Sequence, residues 1–383
     1  MTSLASPLVM PGRPSLSGIL TPPGVASLAQ AADAARRVGD FPAEALDILR
    51  GEGLWAAVLP TEHGGCGLTG LPLLHLLRQV GRASLPLGRI YEGHLNALLL
   101  IADYGNAAQL AQTAQDAADN RLYGVWNTEG RDPLRLMADG DGWRLEGAKT
   151  FATGAQHVTR PLLPADGPGG RQLVLFRGES PESRVAEQPD SWQPLGMEST
   201  LSVTLEFTGS RVSDADLIGA PGDYYRQPLF SVGALRFCAV QLGGADALLS
   251  EVRRYLRKLG RAQDDVQTLR FAQVWNQLQG ASLSLTEGER LERAHAAGQV
   301  GEARLLAQVD AVRLATEDAC LALLEAAERA VGARGLTQPE PFAWLIRDLR
   351  MYLRQPAPDA ARLRLGQWVM GQAFADSGLE ETP

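Results

Sequence analysis

The spacing of apolar residues changes twice along this 383-residue chain, and that order restricts the fold more than any other feature. Between about Ala26 and Asp119 the spacing is helical: Phe41, Ala45, Ile48 and Leu49 would share one helix face, and Leu73, Leu77 and Val80 another. A glycine-rich turn, His63-Gly64-Gly65-Cys66-Gly67, interrupts it. From Arg121 to about Ile218 the period falls to two. Leu201, Val203, Leu205 and Phe207 alternate with Ser202, Thr204 and Glu206, which predicts a half-buried strand. Leu173 to Phe176 reads as a second strand, and the Gly/Pro-rich run Pro164–Gly170 as a loop. From Phe230 the helical spacing returns, with Leu242, Leu249, Val252, Leu256 and Leu259 on one side. Helices, then strands, then helices is an α+β order and not an alternating βαβ wind. The expected divisions are a loose arm over 1–25, a helical domain over 26–120, a central β domain over 121–225 and a C-terminal helical bundle over 226–383.

Within the strand region, Leu145-Glu146-Gly147-Ala148-Lys149-Thr150-Phe151-Ala152-Thr153-Gly154-Ala155 carries the most chemistry. An alternating strand enters the turn Gly147-Ala148-Lys149, and an aromatic ring and a hydroxyl follow two residues apart. Period-two geometry would put Phe151 and Thr153 on one face. A flat apolar surface beside a hydrogen-bonding group suits a planar heterocycle that is stacked and held by its ring nitrogens. The competing reading is an ordinary core strand, which is how most such pairs are used.

Composition excludes several classes. The hydrophobic fraction is 45% and the charged fraction 21%, as in ordinary globular chains. A net charge of -8 argues against binding nucleic acid by counterion release. Three scattered cysteines, Cys66, Cys238 and Cys320, with no CxxC and no HExxH, indicate neither a disulfide frame nor a metal site. Residues 1–24 lack the basic-then-apolar pattern of a signal peptide, and no apolar run reaches membrane-spanning length. The expectation is a cytoplasmic protein.

The motifs at the block joints, taken in order, resemble the acyl-CoA dehydrogenase superfamily of flavoproteins from roughly Phe41 to Met370. They are Leu59-Pro60-Thr61-Glu62-His63-Gly64-Gly65-Cys66-Gly67, Tyr104-Gly105, Thr128-Glu129, Gly147-x-Lys149-x-Phe151-x-Thr153, Leu195-Gly196 before the alternating strand, and Arg347-Asp348-Leu349-Arg350. The resemblance implies an N-terminal helical domain, a central β-barrel-like strand domain and a C-terminal four-helix bundle. It also implies FAD, with FMN or reduced flavin as variants. The flavin ring would lie against Phe151, with Thr153 and Thr128 at its polar edge and Trp126 close by. Gln267 and the Gly332–Gly335 turn, through Gly335, would reach the dinucleotide of a neighbouring subunit in a homodimer or homotetramer. Arg236 would touch a small-molecule substrate, such as an acyl-CoA thioester, or form an internal salt bridge.

The departures from that family limit the chemistry. An acyl-CoA dehydrogenase needs a carboxylate to remove the α-proton. Its two usual positions fall here on Pro356 and Leu235. The phosphate-cradling serine segment becomes Gly130-Arg131-Asp132-Pro133-Leu134. The run from Arg347 to Gly366 aligns better with the reduced-flavin monooxygenase branch, which draws on a partner flavin reductase, although that branch's histidine is absent too. A relocated base could be Glu92 or His94 in Tyr91-Glu92-Gly93-His94-Leu95-Asn96; the favoured reading of the same cluster is a buried polar network that fixes helix packing. Three functions remain from sequence: an acyl-CoA dehydrogenase-like flavin oxidoreductase, a reduced-flavin monooxygenase, and a catalytically silent paralogue that acts by binding.

Overall fold

The computed structural model describes residues 20–354 and 357–371. Among the described residues five α-helices come first: α1 (Pro22–Arg37), α2 (Ala43–Gly51), α3 (Gly70–Ala83), α4 (Leu85–Tyr104) and α5 (Ala107–Ala118). α1 starts inside the stretch expected as a loose arm, because Thr21 caps it by accepting from the Gly24 N–H and two prolines fill its first turn. Gly105 closes α4, and a capping box of Asn106 and Gln109 starts α5.

Ten short strands follow: β1 (Tyr123–Val125), β2 (Arg135–Asp139), β3 (Gly142–Glu146), β4 (Ala148–Lys149), β5 (Arg160–Gly167), β6 (Gly170–Leu175), β7 (Ala186–Gln188), β8 (Thr204–Glu206), β9 (Ser210–Val212) and β10 (Leu217–Ile218). The larger sheet runs β10-β6-β5-β2-β3-β9, with β1 added in parallel to β5; the smaller runs β4-β8-β7. The run expected as a loop from Pro164 to Gly170 is instead the tight end of the β5–β6 hairpin, paired to Gly167↔Gly170. Proline disfavours a strand interior, yet Pro164 pairs with Leu173 within the ladder.

The last described elements are α6 (Leu229–Lys258), α7 (Asp265–Ala296), α8 (Glu302–Gly335), α9 (Phe342–Tyr352) and α10 (Pro358–Gly371). α6 is the axis of the molecule, packed against α3, α4, α8 and α9. Its close approach to α3 needs glycine: a Cβ on Gly243 would lie 2.1 Å from Arg78 O, and one on Gly81 would lie 2.3 Å from Val240 O. α6 is also long and apolar enough to cross a membrane, but 72% of that apolar window is buried inside the protein. The architecture is α+β, with N-terminal helices, a curled β layer and a C-terminal helical domain.

Candidate active site

Two strained segments build a wall on the β domain. Phe151 follows β4 at φ +52°, and Met197 and Leu201, between β7 and β8, take φ +64° and +44°. Left-handed geometry costs a bulky residue of order 1–2 kcal/mol, so it persists only where surrounding bonds impose it. Those bonds are present. Ala152 N donates to Val203 O (3.0 Å) and Gly154 N to Thr200 O (2.8 Å), lacing one segment to the other. The Thr200 hydroxyl donates to Met197 O at 2.9 Å and stands 2.7 Å from Ser202 Oγ, which is 3.1 Å from Thr153 Oγ1.

The expected strand face therefore gives way to a turn: β4 stops at Lys149, and Phe151 reaches the surface through its left-handed backbone and not through a pleat. The ring is 42% exposed and is met edge-on by Trp192 at 6.0 Å. Thr153 is half-buried, and its hydroxyl has capacity for another hydrogen bond. Trp126 is buried behind the wall; its Nε1 donates to Thr153 O at 2.9 Å, so it braces the wall from within.

Thr128 is exposed beside these residues, because Thr150 N donates to Thr128 O and Glu129 bridges Lys149. Below it lies a charged ring. Lys149 Nζ, fully buried, donates to Glu129 Oε1 at 2.7 Å and to Asn127 O at 3.4 Å. Arg171 pairs with the same carboxylate and lies 5.7 Å from the Tyr225 ring centre. Tyr225 donates its hydroxyl to Asn127 Oδ1 at 2.5 Å, which leaves the Asn127 amide N–H groups for a ligand. Burial pulls the Lys149 ammonium down to about 7, with Asp166 pulling the other way. Sequence reading missed Asn127, Trp192 and Tyr225. The only signal was their bulk and polarity inside a strand region, and the contacts that unite them span long stretches of chain.

On α4 the two candidate bases face opposite ways, as their spacing predicts. His94 is fully buried and uses both ring nitrogens: Nε2 meets Trp55 O at 2.8 Å, and Nδ1 accepts from Tyr123 N at 3.2 Å. Burial pushes its pKa down to about 3. Its geometry is that of a helix-packing residue. Glu92 is also buried, bonded to Arg89 at 2.6 Å and to Asn96, whose side-chain oxygen accepts from Arg236. Arg236 thus belongs to an internal polar quartet. Leu235 is 1% exposed and packs toward Gly288 of α7, while Pro356 lies outside the described residues.

The residues expected at a neighbour's dinucleotide stand apart from this wall. Gln267 is buried in the first turn of α7 and accepts from Arg270 at 2.8 Å. Gly335 is buried at the end of α8, where a Cβ would lie 2.4 Å from Val331 Cβ and 3.5 Å from the Phe342 ring. Within one chain it serves the packing of α8 on α9. A groove of about 480 Å³ between α1, α3, α6 and α9 includes none of the expected residues.

Residues 25–121 match the family model described as acyl-CoA dehydrogenase, N-terminal domain. The whole chain is also similar to the dibenzothiophene monooxygenase of Mycolicibacterium goodii, with 25% identity over 89% of this chain and 90% of that one. The chain carries the N-terminal domain of the acyl-CoA dehydrogenase family over 25–121 and has that superfamily's fold. Solved members of that superfamily share its fold. The dibenzothiophene monooxygenase of Paenibacillus sp. A11-2, in complex with FMN and indole, superposes with a TM-score of 0.80 at 22% identity, over 92% of this chain and 97% of that one. Butyryl-CoA dehydrogenase from Megasphaera elsdenii superposes with a TM-score of 0.78 at 14% identity, over 91% and 96%.

Proposed function

We propose that this protein is a reduced-flavin-dependent monooxygenase that takes FMN and a small-molecule substrate. One observation carries the choice over an acyl-CoA dehydrogenase: a usual place of the α-proton base is filled by the buried Leu235, and Glu129, Glu92 and Glu198 are each paired with a cation. Glu129 is held by Lys149 and Arg171, Glu92 by Arg89, and Glu198 faces Arg347 at 3.6 Å. A general base for α-proton removal has to be within reach of the substrate and unencumbered. The length of similarity to dibenzothiophene monooxygenases supports the same reading.

The residues fit a flavin. The exposed Phe151 ring gives one stacking surface, and the Thr153 and Thr128 hydroxyls flank it. The fit is better for FMN than for the dinucleotide expected from sequence. Gly130 spends its N–H on Ala148 O, and its Cα sits so near Ala148 that a Cβ would come within 2.7 Å of that side chain. The segment that cradles a pyrophosphate in relatives is thus folded onto β4. When bound, reduced flavin supplies two electrons; one atom of oxygen enters the substrate and the other leaves as water. The chain's part is to hold the ring on Phe151, to engage its polar edge through Thr128, Thr153 and the Asn127 amide, and to exclude water. The polar quartet Arg89, Glu92, Asn96 and Arg236 lies on α4 and α6, beside which the family keeps its substrate cavity; it is poorly suited to an acyl chain.

The test is titration of the purified protein with FMN and FAD, followed by assay with a flavin reductase, oxygen and a panel of small sulfides, amines and indole. Tighter binding of FMN and an oxygenated product are expected. Anaerobic bleaching of bound FAD by an acyl-CoA would overturn the reading in favour of a dehydrogenase. Complete lack of flavin affinity would leave the silent paralogue.

A further inference from the structure

We propose that Asp348 is a positioning residue for the ligand wall, acting from α9 through the Met197–Leu201 turn on Thr153 and Phe151. The inference rests on the flavin reading for its functional consequence, though its structural core does not need it.

α9 reaches the β domain at the 196–198 stretch between β7 and β8. Asp348 Oδ1 accepts from Met197 N at 2.6 Å, and the carboxylate is 3% exposed. Beside it, Gly196 lies so close to α9 that a Cβ would sit 2.4 Å from the Arg347 carbonyl carbon and oxygen. Loop and helix are therefore in backbone contact, and the one buried side chain between them is aimed at the N–H of a residue in left-handed geometry. A methionine takes φ +64° only under such a hold. From Met197 the connection runs by hydrogen bonds alone. Its carbonyl accepts from Thr200, Thr200 meets Ser202, Ser202 meets Thr153, and the Thr200 carbonyl accepts from Gly154 N. The same turn holds Trp192, whose Nε1 donates to Glu198 O at 3.1 Å and whose ring supports Phe151. Both groups offered to the ligand are thus fixed through one carboxylate on a helix that does not touch them. The charged groups facing Asp348 are Glu198 from the turn, Arg347 from α9 and Arg36 from α1.

Hydrogen exchange measured by mass spectrometry on the full-length protein tests the relay without any flavin. In Asp348→Ala, peptides covering 148–158 and 195–204 should exchange at least about fivefold faster than in wild type, while β5 and β6 keep their protection. Asp348→Asn, which keeps an acceptor oxygen, should restore wild-type exchange. Gly196→Ala, which drives a Cβ into α9, should reproduce the Asp348→Ala pattern. FMN affinity should fall about tenfold in Asp348→Ala, and Asp348→Ala combined with Thr153→Val should lose no more than the larger single change. If Asp348→Ala proves insoluble, Asp348→Asn and Gly196→Ala carry the same comparison. Unchanged exchange at 148–158 in folded Asp348→Ala or Gly196→Ala overturns the relay, and so does a fully additive double variant. A wild-type protein that binds no flavin, yet shows the exchange pattern above, overturns the flavin reading and leaves the relay standing.

Discussion

At Phe151 the backbone and the side chain pull in opposite directions. The left-handed φ penalises every residue with a Cβ, whereas the ring is what the wall presents to a ligand. Phe151→Gly is therefore expected to be more stable than Phe151→Ala by about 1 kcal/mol in urea denaturation, since only glycine relieves the strain. Both should lose flavin binding to a similar degree. Two buried titratable groups give a second residue-scale expectation. His94 falls to about 3, so its protonation in the unfolded chain removes stability as pH drops below its ordinary 6.5. Asp348 is raised by burial to about 7 from an ordinary 3.8, so stability is lost as pH rises from 3.8 to about 7, where the unfolded chain has released a proton that the folded protein still holds. Asp348→Asn should accordingly gain stability relative to wild type between pH 5.5 and pH 8. A constant difference across that range would contradict it. His94→Ala should cost about 3–5 kcal/mol, because it leaves the Tyr123 N–H and Trp55 carbonyl unpaired around a cavity.

At the scale of elements, the helices were legible and the wall was not. The 3.6-residue period matches α2, α3 and α6, because helix signals are local, and Tyr104-Gly105, a motif of the family resemblance, falls at the end of α4. The Leu201–Phe207 alternation matches the burial of Val203, Leu205 and Phe207 but predicts too long a strand: only Thr204–Glu206 pairs as β8, Ser202 is buried against expectation, and Leu201 sits in a left-handed turn. Phe151 and Thr153 share a surface for a reason that alternation does not capture, namely hydrogen bonds to residues about fifty positions away. The missing bases were visible in sequence, and Leu235 proves to be deep in helix packing. What sequence could not supply was the pairing of Glu129, Glu92 and Glu198 with cations. The α3–α6 contact yields the prediction for this scale. Gly243→Ala should lower the unfolding free energy by more than about 3 kcal/mol, because backbone on both sides bars relaxation. Gly280→Ala, in α7 with nothing near its Cβ, should raise it by about 0.5–1 kcal/mol.

For the whole molecule, α7 is informative because it is apolar on its outer side as well as its inner one. Val266, Leu269, Trp275 and Leu283 are 60%, 74%, 53% and 69% exposed. An outward surface of that kind is usual where another subunit packs. Light scattering should find a homo-oligomer that Leu269→Asp with Leu283→Asp reduces to a smaller species. Retention of the wild-type mass would count against α7 as the contact. The backbone contact between Gly196 and α9 has a different consequence, for inheritance. A loop that carries the ligand face and a helix far along the chain fit each other like key and ward, so neither can drift alone. Changes at 196–201 and at 347–348 should pass down lineages of this chain in matched pairs, and a protein that borrowed its strand domain from one ancestor and its last helices from another should lose the shape of its binding face before it loses its fold.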